Sequence, residues 1–149
     1  MIRQTKTLAP VLLIAVSLVA LAGCLTDGSA LDGTRWRLTE WTLSSLNPAD
    51  FTITVHFADG QISGHSGVNT YDGPYALGRG DAFSVGPLAC TEMAGPEPAM
   101  RAESAYMTLL GQAKSFKVAD GKLTLYDKGG NQSLIFEAAS KQPRSSRIP

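Results

Sequence analysis

FTITVHFADGQIS, Phe51 to Ser63, decides the fold. Phe51, Ile53, Val55 and Phe57 fall on one side of an extended chain, and Thr52, Thr54 and His56 on the other. Successive side chains of a strand point to opposite faces, so this spacing predicts a half-buried strand with β-branched filling. Ala58-Asp59-Gly60 predicts a tight turn, and Gln61-Ile62-Ser63 returns as the hairpin partner.

The period of two continues outward from this hairpin. The stretch TRWRLTEWTL, Thr34 to Leu43, alternates through Trp36 and Leu38, then changes parity to Trp41 and Leu43, which predicts a bulge or bend between them. AFSV alternates Phe83 with Val85, and SFKVA, KLTLY and QSLIFEA predict three closing strands. Asp120-Gly121 and Lys128-Gly129-Gly130-Asn131 sit between these as turns. One segment breaks the rule. PAMRAESAYMTLLGQA, Pro98 to Ala113, has Met100, Glu103, Met107 and Leu110 at spacings of three and four, a helix face, with Pro98 in the first turn. The expected fold is mainly β, of the α+β kind: a curled antiparallel sheet or partly open β-barrel of about eight strands with one packed α-helix.

The ends read differently. Arg3 and Lys6 precede an uncharged apolar run, Leu8 to Gly23, shorter than the roughly 20 residues of a membrane-spanning helix. That is the shape of a secretory signal peptide, residues 1–23. Leu21-Ala22-Gly23-Cys24 resembles the lipobox of bacterial lipoproteins, which implies cleavage before Cys24, a diacylglyceryl group on its thiol and a lipid-anchored place in the cell envelope. Leu25, where an Asp is absent, resembles the pattern sorted to the outer membrane, on its periplasmic face, in a Gram-negative host. Residues 24–33 read as a tether and residues 139–149 as a basic tail carrying Lys141, Arg144 and Arg147. Removing Arg3 and Lys6 from 13 basic side chains leaves 11 against 13 acidic ones, a net of −2, which argues against nucleic acid as a partner. Cys90 is then the one thiol left, so no internal disulfide is expected; two residues after Leu88, it is expected to be a small buried hydrophobe.

GHSGVNTYDGPY, Gly64 to Tyr75, has the glycines of a ligand cradle, but strands flank it and no helix follows, so it does not present helix N–H groups to a phosphate. Its glycines are expected to permit a bulge or a close backbone approach, Asn69 to bond its neighbouring backbone in a left-handed turn, and Tyr71 and Tyr75 to cover the sheet. The stretch resembles the signature of the META domain, also called HslJ-like, roughly G-x-x-G-C-N-x-Y-x-G-x-Y, through Gly64, Gly67, Asn69, Tyr71, Gly73 and Tyr75. Further blocks resemble the same family: Thr91, Met93 and Ala94 within TEMAG; Glu103, Tyr106 and Leu110; and Gly33, Thr34 and Trp36. Val68 and Gly95 stand where the family pattern often has cysteine. The resemblance spans about residues 31–138, with the domain itself placed at 34–138, and implies a small curled sheet with a packed helix, in a family whose members are often envelope lipoproteins linked to stress, with no defined reaction. The fold is also similar to that of pilotin lipoproteins, which hold a lipid or a partner's tail.

Glu103 on an apolar helix face must be paired or hydrogen-bonded. Three partners are open: an arginine of the first strand, the Trp36 indole, or the backbone of the glycine loop. His56 and His65 lack a cysteine or carboxylate at ligand spacing, so neither a metal site nor another cofactor is expected. Arg79-Gly80-Asp81 is taken as chance. The expectation is a non-enzymatic protein that binds or stabilises an envelope partner at the membrane surface. The alternatives are a carrier of an apolar ligand or lipid, and a hydrolase, for which Glu103, His65 and Cys90 would have to converge in one open cleft.

Overall fold

A computed structural model describes residues 30–42 and 45–139. The signal segment, Cys24, Leu43 and the tail from residue 140 lie outside the described residues. Among the described residues there are nine strands and one α-helix: β1 (Arg35–Trp41), β2 (Thr54–Ala58), β3 (Gln61–His65), β4 (Thr70–Leu77), β5 (Phe83–Val85), β6 (Ala89–Cys90), α1 (Glu97–Gln112), β7 (Ser115–Ala119), β8 (Lys122–Tyr126) and β9 (Gln132–Ala138). A short 3-10 turn, Pro48–Asp50, joins β1 to β2. The antiparallel order is β5-β4-β3-β2-β1-β9-β8-β7, with β6 beside β4. The two ends of that order nearly meet. Phe83 N–H donates to Lys114 O at 2.9 Å and Phe116 N–H to Asp81 O at 2.9 Å, around a bridge between Ala82 and Ser115. Eight strands thus curl into a nearly closed barrel; the two-residue β6 has too little alternation to be legible in sequence.

The hairpins form where the sequence places them. Asp59 and Gly60, and likewise Asp120 and Gly121, all have positive φ, the geometry that matches the twist of two-residue hairpins. The parity change in β1 is a bulge: Leu38 pairs with Phe136 but Glu40 pairs with Ile135, leaving Thr39 as the extra residue. Its hydroxyl donates to Ile135 O at 3.1 Å. The strand over 51–57 is shorter than expected: β2 starts at Thr54, preceded by a single bridge at Ile53.

Ile53, Val55 and Phe57 point inward with Leu38, Phe83, Phe116, Leu123, Leu125, Leu134 and Phe136 and are buried. Each such side chain contributes about 1.5–3 kcal/mol by leaving water. Leu31 is also fully buried, so the folded domain begins within the segment expected to be tether. Thr34 locks this start: its hydroxyl accepts the Trp36 indole N–H at 2.7 Å and donates to Leu31 O. Among the described residues the buried core runs from Leu31 to Phe136, and no described helix is long and apolar enough to cross a membrane.

Helix α1 buries Ala102, Tyr106, Leu109 and Leu110, not the face expected through Met100 and Met107. Met100 is 45% exposed and Met107 half-buried. A count of apolar spacings rates methionine as highly as tyrosine. The barrel selects the face whose aromatic ring reaches Tyr71 (centroids 5.7 Å apart) and Phe136 (6.4 Å). Tyr71 and Tyr106 are buried, with hydroxyls 2.6 Å apart, and Tyr71 Oη lies 3.0 Å from Thr54 O. A carbonyl can only accept, so Tyr71 donates to Thr54 and Tyr106 donates to Tyr71. Burial raises both phenol pKa values strongly, so the relay stays protonated. Its direction makes the two tyrosines unequal. Tyr71→Phe leaves the Tyr106 hydroxyl buried without a partner and should cost about 1–3 kcal/mol; Tyr106→Phe leaves Tyr71 still bonded to Thr54 and should cost nearer 1 kcal/mol. Urea unfolding of the two variants measures the order, and the reverse order would refute the relay.

Candidate functional site

The glycine loop, its flanking strands, the segment after β6 and helix α1 meet at Glu103. The chain leaves the β3–β4 ladder between His65 and Thr70, so the N–H groups of the intervening loop lose their strand partners. Glu103 accepts from them. Its Oε2 takes the N–H of Asn69 at 2.8 Å, the N–H of Val68 at 3.4 Å and the Ser66 hydroxyl at 2.5 Å. Its Oε1 takes the Asn69 side-chain amide at 2.9 Å. Of the three partners open from sequence, the glycine-loop backbone is the one used; the Trp36 indole is engaged by Thr34. Partial burial pushes the Glu103 carboxyl pKa up, but the bonds from Ser66, from the Asn69 side chain and from the Asn69 and Val68 backbone outweigh it, leaving it below the usual range.

Asn69 extends the cluster to the segment beyond β6. Its Oδ1 accepts from the Thr91 hydroxyl and from Met93 N–H, each at 2.8 Å, while its Nδ2 also donates to Met93 O at 3.2 Å. Thr91 in turn accepts Thr70 N–H at 3.2 Å. All four hydrogen-bonding positions of the Asn69 amide are filled. This corrects the expected role. Asn69 is not in a left-handed turn, since the positive-φ residues other than glycine are Asp59 and Asp120 among the described residues, and its side chain bonds distant backbone rather than its neighbour's.

The glycines are dictated by approach. A Cβ on Gly64 would overlap the Thr54 carbonyl, the acceptor that Tyr71 must reach. Gly67 has φ +116° and faces the first turns of α1, where its Cβ would lie 3.2 Å from Ala99 O. A side chain on Gly73 would strike Pro87 and Leu88. Thus Gly64, Gly67, Asn69, Tyr71, Gly73, Thr91 and Glu103 are drawn into one assembly of cluster and relay. Met93 joins through its backbone alone, its side chain standing 59% exposed. Tyr75 does not join. It packs edge-on to Phe57 at 5.0 Å and stacks on Phe83 at 6.3 Å inside the barrel. Ser66, fully buried at the centre of the cluster, was missed by sequence reasoning. A serine between a histidine and a glycine carries no signal until its partner 37 residues away is known.

Cys90 contradicts expectation: it is exposed, because β6 is an outer strand pairing only with Tyr71 and Asp72 of β4. Partial desolvation, then the charges of Glu103 and Asp72, push its thiol pKa up and reduce its thiolate fraction. His65 Nδ1 lies 2.8 Å from Thr52 O and 3.2 Å from Gly67 N, and no hydrogen bond joins it to Glu103 or Cys90 among the described residues. No group of three His, Cys, Asp or Glu side chains that could hold a metal occurs among them either.

The META domain family model matches residues 29–140, and the chain belongs to that family. Three solved structures share the fold. A protein from Burkholderia xenovorans, solved by NMR, is 25% identical with a TM-score of 0.63, over 95% of this chain and 99% of its own. A second protein solved by NMR is 19% identical (TM-score 0.59, 76% of this chain and 95% of its own). A DUF4847 family protein from Bacteroides vulgatus is 14% identical (TM-score 0.54, 76% of this chain and 98% of its own). No curated protein matches the chain.

Val68 and Gly95, the positions where the family pattern often has cysteine, touch in this chain. A Cβ built on Gly95 lies 3.4 Å from Val68 Cβ and 2.8 Å from its Cγ2. The pair divides one space unequally, with an isopropyl on one side and bare backbone on the other. That separation borders the roughly 3.5–4.5 Å between the Cβ atoms of a disulfide. The Val68→Cys/Gly95→Cys double variant should therefore oxidise to a disulfide, seen by intact mass, and gain up to about 3 kcal/mol in urea unfolding. Gly95→Cys alone, crowded against Val68, should lose stability.

Glu103→Gln should lower stability at pH 7 by about 1–3 kcal/mol, since an amide turns a donor toward donors. The pH dependence has a definite sign. A carboxyl whose folded pKa lies below its unfolded value, about 4.3, stabilises the fold above that value and ceases to do so as pH falls through the folded pKa. Unfolding curves of wild type and Glu103→Gln should converge as pH falls through the lowered folded pKa; a constant gap down to acid would refute the charge-based role.

Proposed function

We propose that the chain is a lipid-anchored envelope protein, held through Cys24, whose META domain binds or stabilises a partner at the membrane surface without catalysing a reaction. The observation that carries this reading is the closure of the motif on itself. Ser66, Asn69, Thr91 and Glu103 bond one another and the backbone, the use such groups have in a clasp rather than in an acid–base pair. Beside the cluster, two large apolar side chains stand in solvent. Met93 and Met100 are exposed, one on the segment held by Asn69 and the other one helical turn before Glu103. Methionines adapt to varied partners, and exposed apolar side chains beside a rigid frame suit docking. The carrier alternative has less support, because Phe57, Phe83, Phe116 and Phe136 fill the barrel interior where an apolar ligand would lie.

The reading is tested on protein extracted from membranes in mild detergent. Mass spectrometry should find a mature chain starting at acylated Cys24, together with a co-purifying envelope protein that the Met93→Ser/Met100→Ser variant fails to retain. A retained lipid with no protein partner would favour the carrier, and an unmodified Cys24 would remove the anchor.

A further inference from the structure

The outer face of the barrel carries a feature that neither the clasp nor the methionines use. An open cleft runs over β1, β2 and β3, with Arg35, His56, Ser63 and Gly64 among its walls and Gly33 and Ala139 also lining it. Arg35, His56, Ser63 and Asp72 form one cross-strand row, each opposite the next. Arg37 stands two residues along the same face as Arg35, and both are exposed. Gly64 borders the cleft through its backbone.

We propose that this cleft docks the anionic phospholipid headgroups of the membrane that carries the chain. The proposal rests on the anchor reading above. Charge selects the occupant. Neither Arg35 nor Arg37 forms an ion pair with any described residue, whereas the neighbouring Glu137, opposite Arg37, is paired with Lys122 at 3.8 Å. Two guanidinium groups free of ion pairs, whose planar forks suit phosphate oxygens, thus share a face with a histidine and a serine hydroxyl, Arg35 in the cleft wall and Arg37 beside it, while the carboxylate of the row, Asp72, stands three strands away from Arg35. The chain ends select the same occupant. Gly33 lies nine residues after Cys24, a span of about 30 Å at most, so an anchor there keeps the cleft near the bilayer. Ala139, also lining the cleft, is followed within ten residues by Lys141, Arg144 and Arg147. These would be repelled by Arg35 and Arg37, so the tail is no candidate to fill the cleft. Its three basic side chains add positive charge to the sequence that follows Ala139.

The chain from Leu25 to Pro149 holds the whole core and can be tested without acyl groups. It should sediment with vesicles containing phosphatidylglycerol and not with pure phosphatidylcholine vesicles, and added salt should release it. Arg35→Gln and Arg37→Gln should each weaken binding about five-fold. Lys117→Gln, an equal charge loss on β7, should leave it unchanged, and inorganic phosphate matched to the headgroup concentration should not displace it. Equal binding to both vesicles, full binding by Arg35→Gln/Arg37→Gln, loss of binding only on removal of residues 140–149, or displacement by free phosphate would each overturn the proposal. Anchor and cleft fail separately. Binding by residues 25–149, with Cys24 of the full chain found unmodified in cells, keeps the cleft and sinks the anchor; acylated Cys24 in cells without such binding does the reverse.

Discussion

The structure depends on one carboxylate meeting one loop. A chain that leaves a sheet between two strands must satisfy the N–H groups that it withdraws from the ladder. A single neutral side-chain acceptor lacks the capacity to hold four donors at once. Glu103 supplies two oxygens and a full charge, and receives Ser66, Val68 and both the backbone and side chain of Asn69. Because Glu103 rides on α1, the same bonds set how the helix sits on the barrel. Tyr106, on the next turn, is delivered to Tyr71, and the relay to Thr54 follows from that placement. Moving the helix by one turn would lose both contacts together.

The glycines follow from this constraint. Gly64 lets Tyr71 reach a carbonyl on the neighbouring strand. Gly67 takes a positive φ at the point where the loop passes under the first turns of α1. Gly73 admits the returning segment at Pro87 and Leu88, which then runs on to bring Thr91 and Met93 to Asn69. Three blocks far apart in sequence are thus parts of one hydrogen-bonded object. The pattern that marks the family is largely a description of how the helix is fastened to the sheet.

Strands and hairpins were legible because their causes are local. Alternation such as Ile53, Val55, Phe57 needs only a barrel with an inside and an outside, and Asp-Gly pairs need only the hand of the twist. Even the Thr39 bulge left its trace as a change of parity. What stayed hidden depends on partners distant in sequence. The helix face was misjudged because Met100 lies beyond the surface that Tyr106 and Leu109 fill. Cys90 was misplaced because β6 contacts one strand only and has an open side. Asn69 has the residue type of a local turn, and nothing near it in sequence reveals that Thr91, Met93 and Glu103 will complete its amide. Glu103 was the exception. A carboxylate among apolar helix positions is costly enough to demand a partner, so its role as a clasp could be anticipated although its partner could not.

A motif that closes on itself constrains the body and leaves function to the surface. Ser66, Asn69, Thr91 and Glu103 turn their polar groups toward one another, so the outer face can change without disturbing them. In this chain the contact of Val68 with Gly95 leaves the clasp to be held by hydrogen bonds and packing at that point. Its stability there is then tied to the charge of Glu103 and not to the redox state of the surroundings. The outer face is under a different rule. Arg35 and His56 meet across β1 and β2 because the inward positions beside them, Trp36 and Val55, are already committed to the core. Period two therefore assigns each strand two independent duties. The inner set makes the barrel, and the outer set, placed by the same backbone but not selected by it, is where the chain can differ from its relatives.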